Sequence, residues 1–188
     1  MYNLVLFASG KGSNVQAILH YFKDKPEVHI PLIVTNNPEA GVIDLAAAHG
    51  IDVLLVNRSI LRSELFVDTI DFYKPHLIVL AGFLWLVPSF LVQAYPNRIV
   101  NIHPALLPKY GGKGMYGHFV HQAVLANKEK ESGMTIHMVN EKYDEGTILL
   151  QKKYKIEKHD TPETLAAQVL KLEHEWYPQV IASLLTQS

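Results

Sequence analysis

The sequence contains no cysteine, which excludes a disulfide framework, a thiol nucleophile and a thiolate metal site. It has almost no net charge: 17 Lys and Arg stand against 18 Asp and Glu, a formal −1. No global basic field is therefore available to attract nucleic acid. No apolar run is long enough to span a bilayer. Residues 1–7 lack the basic segment and long apolar core of a secretory signal. The chain is expected in the cytoplasm, with neither nucleic acid nor membrane as a partner. Repeats, low-complexity tracts and a convincing linker are absent as well, so residues 1–188 read as one domain, active as a monomer or homodimer. Against these absences stand 48% hydrophobic and 19% charged residues over 188 positions, ordinary values for a globular enzyme with a sizeable core.

Apolar runs at residues 4–8, 28–35, 52–56, 77–80 and 99–102 read as strands. Helical patterns at 13–22, 39–49 and 61–73 separate the first four. Strands alternating with helices predict right-handed crossovers and a parallel sheet covered on both faces. The continuous apolar strands agree with that. Later come a helix at 118–127 and two strands, 134–139 and 148–156, joined across Asp144-Glu145-Gly146-Thr147. Thr161-Pro162-Glu163 then starts a helix, with a capping hydroxyl, proline at the first position and an acid on the positive dipole end. Its apolar stripe is Leu165, Val169, Leu172, Trp176 and Val180. The fold class is α/β: a Rossmann-like, mostly parallel sheet with helices on both faces. Residues 1–103 form a nucleotide- or phosphate-binding half, and 104–188 extend the sheet with antiparallel strands and end in a long helix.

The run Arg98-Ile99-Val100-Asn101-Ile102-His103-Pro104-Ala105-Leu106-Leu107-Pro108 carries the chemistry. Side chains alternate along a strand, so Asn101 and His103 share a face where the strand stops at a proline. An amide can donate to a developing oxyanion, and an imidazole can move a proton near neutral pH. That pairing suits transfer of an acyl-type group. A lone histidine at a strand end is more often a satisfied structural residue, so the flanking text decides. Gly10-Lys11-Gly12-Ser13-Asn14 lies between the first strand and first helix, where helix-start N–H groups can face an anion. The full dinucleotide fingerprint is not met, because Val15 stands where the third glycine belongs. Thr35-Asn36-Asn37 offers no acid for a ribose at the end of the second strand.

The Asn-x-His-Pro-x-Leu-Leu-Pro element resembles the signature of the folate-dependent formyltransferases. Four further segments match in order: Ser9-Gly10-Lys11-Gly12-Ser13-Asn14, Leu80-Ala81-Gly82-Phe83, Asp144-Glu145-Gly146, and Glu173-His174 with Tyr177-Pro178. The resemblance implies transfer of a formyl group from 10-formyltetrahydrofolate, a co-substrate, to the amine of glycinamide ribonucleotide, with no metal. It implies that Asn101, His103 and Asp144 are catalytic, with a protonated His103 beside Asn101 and Asp144 raising the pKa of the imidazole. It places the ribonucleotide on Gly12, Ser13, Asn14, Val15, Gln16 and Glu173. It places the folate on Leu84, Trp85, Leu86, Val87 and Asn101, with Arg62 as the arginine of the preceding helix. His137 ranks below these. The chain departs from the family pattern at Gly111-Gly112-Lys113-Gly114-Met115-Tyr116-Gly117, a longer loop beside the expected site and a candidate lid.

Two other readings remain open at this point. One is a formyltransferase on the same scaffold with a different acceptor, such as a sugar nucleotide. Family members that act on tRNA carry a further C-terminal domain, and the end of this chain after one helix argues against that role. The other is a non-catalytic nucleotide-binding module, in which Asn101 and His103 merely finish a strand.

Overall fold

A computed structural model describes residues 1–186. Its centre is a seven-stranded sheet of order β3-β2-β1-β4-β5-β6-β7. The strands are β1 (Tyr2–Phe7), β2 (Val28–Thr35), β3 (Asp52–Leu55), β4 (Leu77–Leu80), β5 (Ile99–His103), β6 (Glu131–Met138) and β7 (Ile148–Lys155). The first five are parallel; β6 runs antiparallel to β5, and β7 antiparallel to β6. Strand order reverses between β1 and β4, and the crevice beyond their carboxyl ends is where such sheets bind ligands.

Alternation along the strands divides the core in two. Leu4 and Leu6 of β1 face one cluster, which also takes in Val15, Ile18 and Phe22 of α1 (Ser13–Phe22) and Val42 and Ala46 of α2 (Val42–His49). The same cluster includes Val120 and Val124 of α6 (His118–Ala126) and Leu165, Val169, Tyr177 and Ile181 of α7 (Pro162–Leu185). Val5 and Phe7 face the other cluster, covered by Leu61 of α3 (Arg58–Leu61), Phe66 and Ile70 of α4 (Leu65–Phe72) and Leu91 of α5 (Ser89–Ala94). A sheet buried on both faces needs apolar residues at both parities, which is why its strands read as continuous runs. Among the described residues no helix is long and apolar enough to cross a membrane.

Four sequence expectations need correction. The helix expected over 39–49 begins at Val42, because Asn37 Oδ1 accepts the Glu39 N–H (3.0 Å) and holds 37–40 in a turn. The single helix expected over 61–73 is two. Asn57 accepts the Ile60 N–H (2.9 Å) and caps α3 three residues early; the chain turns through 62–64 and restarts as α4. Ser89–Ala94 is helical where no element was expected. On α7 the buried line is Leu165, Val169, Glu173, Tyr177, Ile181 and Leu185. The stripe is rotated from the expected one, leaving Leu172, Trp176 and Val180 as partly buried flanks. The Tyr177 hydroxyl fixes this rotation, lying 2.9 Å from the Leu80 carbonyl and 3.1 Å from that of Val100.

Candidate active site

Beyond the ends of β1, β4 and β5 opens a cavity of about 840 Å³. Ser9, just after β1, joins two of its borders. Its hydroxyl donates to Asn36 (2.5 Å) and accepts the Leu84 N–H (3.0 Å), so the loop after β4 is tied to those after β1 and β2. Strand register assembles the centre of the cavity. In the antiparallel pairing Asn101 stands opposite His137, and His103 opposite Thr135. Directly opposed residues share a face, and the Asn101 amide nitrogen lies 3.2 Å from His137 Nε2.

Asp144 arrives from the turn between β6 and β7, in the left-handed region at φ 55°. Its Oδ1 accepts from the Asn101 amide at 3.4 Å and lies 3.6 Å from His137 Nε2. Its Oδ2 lies 3.5 Å from His103 Nδ1 and accepts the Gly112 N–H at 2.9 Å. Burial pushes this carboxyl up. The hydrogen bond with His137, the charge of His103 and the Gly112 N–H outweigh burial and leave its pKa below the ordinary value. Asp144 is therefore a carboxylate at neutral pH.

His103 departs from expectation. Burial lowers its pKa; Asp144 and the Tyr110 carbonyl act in the opposite direction without offsetting it, and His137 lowers it further. The ring is only 4% exposed, and desolvation of the imidazolium outweighs one nearby carboxylate. At neutral pH His103 is thus a neutral imidazole, not the expected imidazolium. Its Nε2 sits 2.7 Å from the Tyr110 carbonyl, which can only accept. The resident proton therefore belongs on Nε2, and Nδ1, facing Asp144, is the basic nitrogen. By the same logic His137 carries a proton on Nδ1, 2.8 Å from the Met138 carbonyl, and its Nε2 lies within reach of both the Asn101 amide and Asp144 Oδ1. The cluster thus presents one amide donor, one basic nitrogen and one carboxylate to a common space. It can stabilise an oxyanion and move a proton.

At one end, Leu84 and Leu86 offer exposed apolar surface and Trp85 is half-buried, with the Arg58 guanidinium 4.3 Å from its ring centre. At the other end lies Glu173, 6% exposed, whose Oε2 accepts from Asn14 Nδ2 at 2.7 Å. Burial pushes its carboxyl up to about 7, and the Asn14 hydrogen bond only partly counters that. Asn14 Oδ1 has no partner among the described residues. A buried acceptor, Asn14 Oδ1, therefore waits for a donor beside the buried Glu173 carboxyl. Near them Gly12 (φ 82°) bends the chain into α1, and a Cβ there would meet Val42 Cγ2 at 2.9 Å. Among the described residues no side chain caps α1, and its first helical bond runs from the Gln16 N–H to the Gly12 carbonyl. The three preceding amides point out of the helix start, where an anion binds.

A family model described as "Formyl transferase" matches residues 2–181. The chain belongs to the formyl transferase family. It is 44% identical over 189 residues to the chloroplastic phosphoribosylglycinamide formyltransferase of Arabidopsis thaliana, covering 96% of this chain and 64% of that protein. It is 36% identical to the Bacillus subtilis phosphoribosylglycinamide formyltransferase, covering 98% of this chain and 95% of the relative. The chain thus spans somewhat under two thirds of the plant relative and nearly all of the bacterial one. Among solved structures, the phosphoribosylglycinamide formyltransferase of Bacillus halodurans superimposes with a TM-score of 0.88 at 34% identity, over 97% of this chain and 95% of that one.

Of the positions singled out from sequence, Asn14, Leu84, Trp85, Leu86, Val87, Asn101, His103, Asp144 and Glu173 line this one cavity of the formyl transferase fold. Gly12, Ser13, Val15, Gln16 and Arg62 do not. Val15 is a core residue at 0% exposure, so only its backbone N–H can serve a ligand. Gln16 is exposed and its N–H is spent inside the helix. Arg62 is exposed at the end of α3, whereas Arg58, one turn earlier, lines the cavity. The arginine shift follows from the Asn57 cap, a signal legible in the sequence but not used. His137 and His121 also line the cavity. His137 could have been found from register, since it shares a face with Thr135 opposite Asn101 and His103. His121 carries no sequence signal; it is buried, held to about 4 first by desolvation, and its Nδ1 has no partner among the described residues.

Proposed function

We propose that this formyl transferase moves the formyl group of 10-formyltetrahydrofolate to the primary amine of glycinamide ribonucleotide, a step of purine biosynthesis. The observation that carries the reading is the convergence of Asn101, His103 and Asp144 on one cavity wall, with an apolar slot on one side and the buried Asn14–Glu173 pair on the other. The slot at Leu84–Val87, closed by Trp85 and Arg58, suits a flat pterin with an anionic tail. Glu173 and Asn14 suit the ribose hydroxyls or the amine, and the free amides of Ser13, Asn14 and Val15 suit the phosphate. The names carried by the plant and bacterial relatives support the choice of acceptor.

The amine nitrogen attacks the formyl carbon, forming the new C–N bond and a tetrahedral oxyanion. Asn101 donates its amide to that oxygen, giving up the long 3.4 Å bond to Asp144 for it. His103 Nδ1 accepts the proton that the attacking nitrogen must lose, and Asp144 stabilises the resulting imidazolium. The folate C–N bond breaks as that proton passes to the departing folate nitrogen. Donor, acceptor and protons then balance, and no metal takes part.

The purified protein is tested by following the absorbance change as formyl donor becomes tetrahydrofolate, with and without glycinamide ribonucleotide. Turnover is expected only with the ribonucleotide present. Asn101→Ala should lower kcat by about 10²–10³ with KM much less affected. Wild-type-like turnover in that variant removes the assigned chemistry. Turnover with another amine in place of the ribonucleotide reassigns the acceptor.

A further inference from the structure

The mechanism leaves one part of the cavity wall unused: the backbone where the glycine-rich loop begins. Tyr110 and Gly112 reach the two halves of the proton-moving pair from consecutive turns of chain. The Tyr110 carbonyl meets His103 Nε2 at 2.7 Å, and the Gly112 N–H meets Asp144 Oδ2 at 2.9 Å. Both residues are in the left-handed region, Tyr110 at φ 57° and Gly112 at φ 93°. Between them, a side chain at Gly111 would push the Leu107 side chain aside and require Asp144 to give by a few tenths of an ångström. A Cβ there would lie 3.2 Å from Asp144 Cβ and 2.6 Å from Leu107 Cδ2.

The geometry points to residues 110–112 as a backbone clip that positions the catalytic pair: Tyr110 fixes the tautomer of His103, Gly112 fixes Asp144, and the bare Cα of Gly111 lets both bonds exist at once. A carbonyl accepts and an amide donates, so the clip sets polarity as well as place. His103 must present Nδ1 as its free nitrogen, and Asp144 must keep Oδ2 turned towards it. The groups facing this pair are few. His103 comes from β5 and His137 from β6, Asp144 from the turn after β6, and His121 from α6 acts on His103 across the cavity. Asp144, an acceptor 3.5 Å from Nδ1, favours a proton on that nitrogen, and the closer Tyr110 carbonyl at 2.7 Å favours Nε2, so the 110–112 segment decides between the two tautomers. The loop that continues through Lys113, Met115 and Tyr116 along the same cavity is thus hinged at the pair itself, and displacement of the loop would release both catalytic groups together.

The inference rests on His103 and Asp144 being the working pair, and its test does not need turnover. Nitrogen-resolved histidine spectra of the ligand-free protein should show His103 as the Nε2–H tautomer, with Nδ1 the nitrogen that gains a proton on acidification. In Gly111→Ala the tautomers should mix and the His103 midpoint should fall, since the carbonyl that favours the charged ring is displaced. In the same variant kcat should drop about tenfold with KM for the formyl donor within about threefold, the signature of lost orientation. Leu107→Ala/Gly111→Ala is the companion, because it removes the 2.6 Å clash while keeping the close approach to Asp144. It should fold with a wild-type-like circular dichroism spectrum and retain the mixed tautomer. An Nδ1–H tautomer in the wild type overturns the clip. So does a wild-type tautomer in either variant. A fixed Nε2–H tautomer in a protein that transfers no formyl group would sustain the clip and remove the proposed reaction instead.

Discussion

At the scale of single residues, the site turns on what burial does to charge. His103 and Glu173 are both close to fully buried, and both are pushed towards neutrality. In the proposed reaction this serves His103: a neutral imidazole would already be a base when the amine arrives, and Asp144 would stabilise the cation only after it forms. For Glu173 burial costs stability. Its pKa lies near 7 when folded against 4.5 for an ordinary glutamate, so between those values the folded chain binds more protons than the unfolded one. Stability therefore falls as pH rises from about 4.5 to 7 and levels off above that. The loss is on the order of 3 kcal/mol. Glu173→Gln keeps an acceptor for the Asn14 amide and has nothing to titrate. Thermal unfolding of the ligand-free variant should match wild type at pH 5 and lie several degrees higher at pH 8. Equal midpoints at pH 8 would mean that the buried carboxyl finds compensation elsewhere.

At the scale of elements, small features of a helix decide which side chains reach the cavity. α3 is four residues long, yet where it starts determines which arginine enters the site. With Asn57 as its cap, Arg58 stacks on Trp85, and Arg62, exposed at the helix end, does not line the cavity. Steady-state kinetics should show Arg58→Ala raising KM for the formyl donor about three- to tenfold, in keeping with loss of a stacked cation from an exposed rim, and Arg62→Ala leaving it within about twofold. The reverse ranking would restore Arg62 as the folate contact. α7 makes the same point at greater length. Hydrophobicity suggested one stripe, but Tyr177 anchors the helix to the carbonyls of β4 and β5. That rotation carries Glu173 off the margin and into the buried line. A pattern built on apolar residues alone cannot report a buried tyrosine hydroxyl or a buried acid.

At the scale of the whole molecule, the cavity exists because five parallel strands end on one rim and two antiparallel strands bring a turn back to it. Thr135 holds this junction together. It is fully buried, donates to the Ala105 carbonyl (2.6 Å), and accepts from the Leu107 N–H (3.0 Å) and Gln151 Nε2 (2.9 Å). One hydroxyl thus joins β6, β7 and the segment that follows His103. Thr135→Val keeps the volume and strands these partners. Chemical denaturation should show a loss of about 2–4 kcal/mol, with a fall in kcat as the segment after His103 loosens. A stability within about 0.5 kcal/mol of wild type would mean that the partners are satisfied without it.

The sequence by itself determined the architecture and placed the residues of the proposed chemistry. Apolar period and turn residues are local properties, and they placed α1, β2 and β4 to the residue. Asn101 and His103 were legible because two residues apart on one strand share a face whatever the rest of the chain does. Only the tertiary structure decided what those groups are. The neutrality of His103 follows from burial by distant segments, the tautomer from a carbonyl seven residues on, and the place of His137 from antiparallel register. The choice of Arg58 over Arg62 lay between. Its cap is written locally at Asn57, but its meaning depends on Trp85, brought from the loop after β4 to stand beside Arg58. Solvent exclusion and strand pairing are sums over the folded chain, and no window of sequence contains them.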